Sequence, residues 1–292
     1  MGATRDRIPR GPGAAVAASG VECGWRVDVP ADAAVSSGTV LPDGCMDLVW
    51  LDGCVVVAGP DTAAHAVTRS PGSATAGLRL RPGVAPTLLG VPATALRDQR
   101  VPLTELNPLA ARRTTERVAA GTDPLSALAR LTRDLRADRG APDPAVRVAA
   151  RHIAAGRSVA DTAEALGWTV RTLHRRAGAA FGYGPATLRR VLRFRAAVAL
   201  LAAGRAPADV AATAGYADQP HLHREVRDLA GTTVGALRRT PDRGPHTAPV
   251  TPPVTPRTAR LPGRDSRRRG QPTVGSGANR STPLPSGSST VA

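Results

Sequence analysis

The chain has 292 residues, a formal charge of +16 and a pI of about 11.5. That length allows two domains plus extensions, and that charge points to an anionic partner. Three cysteines exclude an even disulfide framework, and no stretch is long and apolar enough to cross a bilayer, so secreted disulfide scaffolds and membrane-spanning proteins are excluded.

Residues 1–20 read as a flexible N-terminus of scattered arginine, proline and alanine, with no apolar core of a signal peptide. Residues 21–81 look β-rich. Trp25, Val27 and Val29 alternate with Arg26 and Asp28, the pattern of a half-buried strand. Two apolar runs, 46–51 and 54–58, are joined by Asp52-Gly53, a strong hairpin signal. Leu78 and Leu80 alternate with Arg79 and Arg81, which adds another strand to this β-rich stretch. Residues 82–144 then turn helical: 82–89, a short piece near 93–98, 108–120 and 124–139. The reading is an α+β domain over 21–144, of sensing or dimerising type. Asp43, Asp47, Trp50 and Arg81 are its candidate pocket residues, though a turn cap, a strand edge, a core aromatic and a strand-end charge explain each without a ligand. Cys23, Cys45 and Cys54 lack metal-ligand spacing and read as small buried hydrophobes in a reduced, cytoplasmic protein. As an alkyl-accepting nucleophile, Cys45 lacks a neighbouring histidine and arginine.

The charge is uneven. Residues 1–144 hold 16 arginines against 15 carboxylates, 145–240 hold 15 against 6, and 241–292 hold 8 against 2; there is no lysine. The basic middle contains a repeat. Ala160-Asp161-Thr162-Ala163 through Gly167-Trp168 returns as Ala208-Asp209-Val210-Ala211 through Gly215-Tyr216, at an offset of about 48. Leu173-His174-Arg175 returns as Leu222-His223-Arg224. Each copy reads as helix, turn, helix. A glycine ends the first helix, and Thr169 or Asp218 caps the second. Val170, Leu173, Ala177 and Ala180 form one inner face; Leu222, Val226 and Leu229 form the other. Arg171 and Arg175, like Arg224 and Arg227, then point outward. A short helix with such an outer face fits the major groove of DNA.

A continuous helical pattern over 185–203 separates the copies. At about 1.5 Å per residue it spans nearly 30 Å, against roughly 34 Å between successive major grooves on one face. Arg189, Arg190, Arg193 and Arg195 fall on or near its polar side, either to meet phosphates or simply as solvated charges. The domain is therefore all-α, two helix-turn-helix units joined by a long helix over 145–240. Residues 241–292, rich in arginine, proline and serine, are too poor in apolar groups to order and read as a disordered tail. Arg267-Arg268-Arg269 there is a candidate nonspecific phosphate contact.

Residues 145–240 resemble the DNA-binding domain of AraC/XylS-type transcription regulators. The resemblance rests on Val159 to Arg175, Pro185 to Arg195, Gly215 to Gln219, Leu222 to Arg224 and Gly231-Thr232-Thr233 before Leu237-Arg238-Arg239. It implies two recognition helices entering one face of double-stranded DNA. Two apolar positions depart from the family's phenylalanine, namely Ala177 and Val226, so thinner packing is expected under each helix. Pro220, early in its helix, removes only a donor that is unpaired anyway. Leu41 to Trp50, Leu78 to Gly83 and Leu88 to Pro92 look like a front domain often found before this one, with no established ligand.

The candidate base-reading residues are Arg171, Thr172, His174 and Arg175 in one groove and Gln219, His221, His223 and Arg224 in the next, with Thr169 and Asp218 as helix caps. No catalytic pattern stands out: Gly11-Pro12-Gly13 lacks its third glycine, there is no nucleophile elbow, and His221 and His223 diverge on a helix. No enzyme, cofactor or metal is expected. The expected partner is double-stranded DNA, with room for a small-molecule effector at the front domain and for a homodimer. A nonspecific nucleic-acid binder driven by the basic domain and tail is the alternative.

Overall fold

The computed structural model describes residues 20–239. The expected flexible start, the disordered tail and Arg267-Arg268-Arg269 lie outside them. The front region has seven strands: β1 Val21–Asp28, β2 Ser36–Val40, β3 Met46–Leu51, β4 Cys54–Ala58, β5 His65–Arg69, β6 Ala74–Leu80 and β7 Arg100–Pro102. Five form one antiparallel sheet in the order β1-β6-β3-β4-β7, and β2 pairs with β5. The expected hairpin is present: Leu51 faces Cys54, and Asp52 and Gly53 both have positive φ, 48° and 79°. Trp25 faces Gly77 across β1 and β6, where a methyl on Gly77 would fall 2.1 Å from the indole.

Four helices follow in the front region: α1 Ala85–Leu89, α2 Leu103–Leu106, α3 Pro108–Ala119 and α4 Pro124–Arg139, with a 3-10 turn at Ala93–Ala95 between α1 and β7. Leu88, Leu128, Leu131 and Leu135 pack on Met46, Leu48, Leu78 and Leu80, forming the main core of this region. The three-residue β7 and four-residue α2 are too short to show a period, and the sequence did not reveal them.

Arg79 is not on a solvent face; it is 1% exposed. Its guanidinium bonds Asp47 at 3.1 and 3.2 Å and pairs with Asp43 at 2.8 Å. Trp25 Nε1 also donates to Asp47, at 3.1 Å. The alternation of charge and leucine was real, but both faces of β6 are buried. A buried arginine is tolerated because its fork meets two carboxylates.

Seven helices complete the described chain: α5 Pro144–Ala154, α6 Val159–Glu164, α7 Val170–Phe181, α8 Pro185–Ala202, α9 Pro207–Ala214, α10 Gln219–Ala230 and α11 Val234–Arg239. The architecture is thus a β-rich front followed by an all-helical region. Both repeats fold as the sequence predicts: Gly167 and Gly215 carry φ of 64° and 77° at the ends of their first helices, a conformation costly for residues with a Cβ. Val170, expected inside, is 46% exposed because it starts its helix beyond the edge of the core. Ala177 and Val226 are fully enclosed. Phe181 and Tyr183 fill the cluster around Ala177, while Phe194 and Tyr216 fill the one around Val226. The aromatic volume missing at the two positions therefore arrives from elsewhere: the end of α7 and the turn after it for Ala177, and α8 and the turn before α10 for Val226.

The linking helix α8 is the shared wall of those two clusters: Leu188 and Val191 belong to the first, Phe194, Val198 and Leu201 to the second. Among the described residues no helix is long and apolar enough to cross a membrane.

The Arg79 cluster generates a test. Arg79→Met leaves two buried carboxylates without their cation and should cost about 3–5 kcal/mol in denaturant unfolding. Arg79→Lys should recover only part of that loss, because an ammonium cannot span both carboxylates as a planar fork does.

Candidate nucleic-acid interface

Helices α7 and α10 owe their positions to caps. Thr172 N–H donates to the Thr169 hydroxyl at 3.1 Å, and His221 N–H donates to Asp218 Oδ1 at 2.6 Å. With Leu173 and Leu222 fully buried, helical geometry turns the opposite side of each helix outward. On α7, Arg171, His174 and Arg175 are exposed and Thr172 is half-buried, its hydroxyl 3.0 Å from that of Thr169. On α10, Gln219, His223 and Arg224 are exposed, and the Gln219 amide lies 3.4 Å from His223 Nε2. His221 differs: it is half-buried and edge-on to Tyr216, with ring centroids 5.2 Å apart.

Each set of four thus gathers on its own helix, and no hydrogen bond or ion pair joins the two sets among the described residues. Arg171, Arg175 and Arg224 make no ion pair there either. The remaining α7 arginine, Arg176, is engaged: it pairs with Asp143 at 2.9 Å and lies 4.5 Å over the Trp168 ring. Sequence reasoning missed Val170, an exposed apolar group beside Arg171. Its place at the helix start was the available signal.

The arginines of α8 do not form the uniform phosphate-facing row that was one reading of them, nor are they all free in solvent. Arg190 pairs with Glu225 at 2.9 Å and Asp228 at 3.2 Å. Arg193 reaches Glu225 at 3.6 Å and lies 4.4 Å over the Tyr216 ring. Arg195 pairs with Glu22 of β1 and donates to Cys45 Sγ at 3.4 Å. Burial would lift the Glu22 carboxyl, but Arg195 beside it holds it below its ordinary value. Helix periodicity shows which residues share a face of α8 but not which carboxylates other elements bring to it.

The front region sets the direction of both outer faces. A methyl on Gly182, the C-cap of α7, would fall 2.5 Å from Pro60, and the Gly182 carbonyl accepts from Arg97 at 3.4 Å. At the last turn of α10, the Leu229 carbonyl accepts from Ala64 N–H at 2.8 Å. The two front loops that make these contacts are tied together: Asp98 N–H donates to the Pro60 carbonyl, and Thr62 N–H donates to Asp98 at 2.7 Å. The C-terminal ends of α7 and α10 therefore abut one pair of loops, and the candidate reading groups lie toward the N-terminal side of those contacts.

The other candidate residues scatter. Asp43 and Asp47 line a small inner cavity with Arg79, whereas Trp50 packs on the opposite, helix-covered side of the sheet. Arg81 is half-buried, and its N–H donates to Gly20. Cys45 is buried, and burial first, then Asp43 and Glu22, pushes its thiol well up, which disfavours the nucleophilic thiolate. Cys54 donates to the Leu51 carbonyl. No group of three metal-ligating side chains occurs among the described residues.

Residues 147–240 match the family model of a helix-turn-helix domain, and residues 14–102 match that of a domain of unknown function, DUF6597. The C-terminal region is a helix-turn-helix domain. Similar solved structures include an apo variant of ToxT from Vibrio cholerae with one lysine replaced by alanine, at a TM-score of 0.42 and 10% identity, covering 74% of this chain and 96% of that one. Wild-type ToxT bound to an unsaturated fatty acid aligns at a TM-score of 0.38 and 10% identity, covering 70% and 94%. No curated protein matches the chain significantly in sequence.

The bond from Ala64 of the front region to Leu229 of the helix-turn-helix domain can be tested alone. Ala64→Pro removes the donor and should lower stability by about 1 kcal/mol relative to Ala64→Ser. Amide exchange should speed up in the last turn of α10 and stay unchanged in α7.

Proposed function

We propose that the protein is a sequence-specific, DNA-binding transcription regulator working in the cytoplasm, with α7 and α10 set in successive major grooves on one face of the duplex. The observation that carries this reading is the pair of capped helices whose outward arginines make no ion pair among the described residues and whose C-terminal ends abut the same pair of front loops. Helix α8, with 18 residues, is about 27 Å long, close to the roughly 34 Å between grooves.

Arg171 and Arg175 suit guanine O6 and N7, with Thr172 and His174 beside them, and Val170 offers an apolar contact to a thymine methyl. In the second groove Arg224 suits guanine, and Gln219 with His223 suits adenine. His221 is better placed to hold the start of α10 against Tyr216 than to read a base. Thr169 and Asp218 cap. Residues 21–144 serve in this reading as the sensing or dimerising module, open to a small-molecule effector or a second copy of the chain; residues 145–240 are the DNA-binding domain.

Selection of bound sequences from a random duplex pool tests the reading. A two-part motif should emerge with its halves about one helical turn apart. Arg175→Ala and Arg224→Ala should each cost about 1–3 kcal/mol and relax one position in one half. Removal of residues 241–292 should leave the motif intact. Recovery of no motif, or equal weakening on every sequence, would overturn the reading in favour of nonspecific, charge-driven binding.

A further inference from the structure

A groove of about 420 Å³ runs between the start of the first helix-turn-helix unit and α8. Ile153 and Val159 are among its apolar walls, and Arg157, Arg189, Arg190 and Arg193 supply its charge; no carboxylate lines it. Two of the arginines are already neutralised, Arg190 and Arg193, through Glu225 and Asp228. The other two, Arg157 and Arg189, make no ion pair among the described residues. Arg157 lies 3.4 Å from an imidazole nitrogen of His152, the nearest titratable neighbour. Both arginines are exposed.

The position of the groove supplies the second observation. Leu188, Leu192 and Arg195 mark the side of α8 that meets the front region, through Gly44 and Glu22. At 100° per residue, Ala186, Arg190 and Arg193 lie roughly opposite, and Arg189 lies at about a right angle to that side. The C-terminal ends of α7 and α10 abut the front region, so their N-terminal turns are the ends farther from those contacts. Groove wall and reading turns both lie off the side of the molecule that meets the front region. One end of the groove is Arg157, next to Ser158, the cap of α6; the other is Arg193, which donates to the Gly215 carbonyl in the turn before α10.

We infer that this groove seats backbone phosphates of the duplex between the two reading helices, with Arg157 and Arg189 as the contacting cations. The inference rests on the proposed DNA-binding reading and adds a site to it. A duplex that presents successive major grooves to α7 and α10 must carry its intervening strands past α8. Phosphates there meet two guanidinium groups with free donors, and the paired Arg190 and Arg193 keep the wall from repelling them. Such contacts position the duplex and carry no base information.

The test uses the full chain with Arg157→Ala/Arg189→Ala and, in parallel, Arg157→Lys/Arg189→Lys. Affinity is measured on the selected sequence and on random duplex across a salt series. The alanine pair should weaken both by about tenfold or more, make the slope of log affinity against log salt shallower by about 1.8, and leave the motif unchanged. The lysine pair should keep the wild-type slope, because a phosphate needs charge more than fork geometry. An unchanged slope in the alanine pair overturns the groove assignment, as does a change of motif without a change of slope. Absence of any motif in the wild type sinks the reading function itself and the groove with it, so the two failures are distinguishable.

Discussion

The fold depends on a charge that has been taken out of water. Arg79 lies in the second strand of a five-stranded sheet, sealed on both faces, and it is stable there only because Asp43 and Asp47 close around it. Removing a guanidinium from water costs several kcal/mol, which the carboxylates must offset. Asp47 comes from the adjoining strand. Asp43 comes from the turn before it, and its other oxygen accepts from Cys45 N–H at 2.9 Å. One buried cation thus shapes the turn at residues 43–45.

That turn is the piece of the sheet that touches α8. A methyl on Gly44 would lie 3.3 Å from Leu192 and 3.6 Å from Leu188, and Cys45 receives a hydrogen bond from Arg195. The front region is thereby keyed to the helix on which both helix-turn-helix units are built. It also holds the far ends of α7 and α10, through Pro60, Arg97 and Ala64. The sheet and the reading helices therefore form one continuous structure, so a disturbance at the front has a packed route to the spacing of the outer faces.

The arginines divide by what faces them. Arg190 and Arg193 brace α8 against α10, Arg195 binds α8 to β1, and Arg176 stacks on Trp168. Arg171, Arg175, Arg224, Arg157 and Arg189 have no carboxylate partner among the described residues and keep their donors for something outside the protein. Net charge alone does not separate these groups. A basic domain of this kind is partly self-neutralised, and its affinity for an anion resides in the few cations left over.

The sequence by itself determined the repeat, its caps and glycines, the burial of Leu173 and Leu222, the 52–53 hairpin and the outward course of Arg171, Arg175 and Arg224. These follow from residues three or four apart on a helix or two apart on a strand, where chain geometry fixes who shares a face. Tertiary structure alone decided the fate of Arg79, Arg190, Arg193 and Arg195, because each is governed by a carboxylate brought from elsewhere in the chain, as far away as Glu22 is from Arg195. It also decided that Val170 stays outside, that Phe181 and Phe194 stand in for missing aromatic volume, and that Arg157 and Arg189 share a groove. Periodicity names the face on which a side chain lies, whereas burial, pairing and enclosure depend on which distant element is packed against that face.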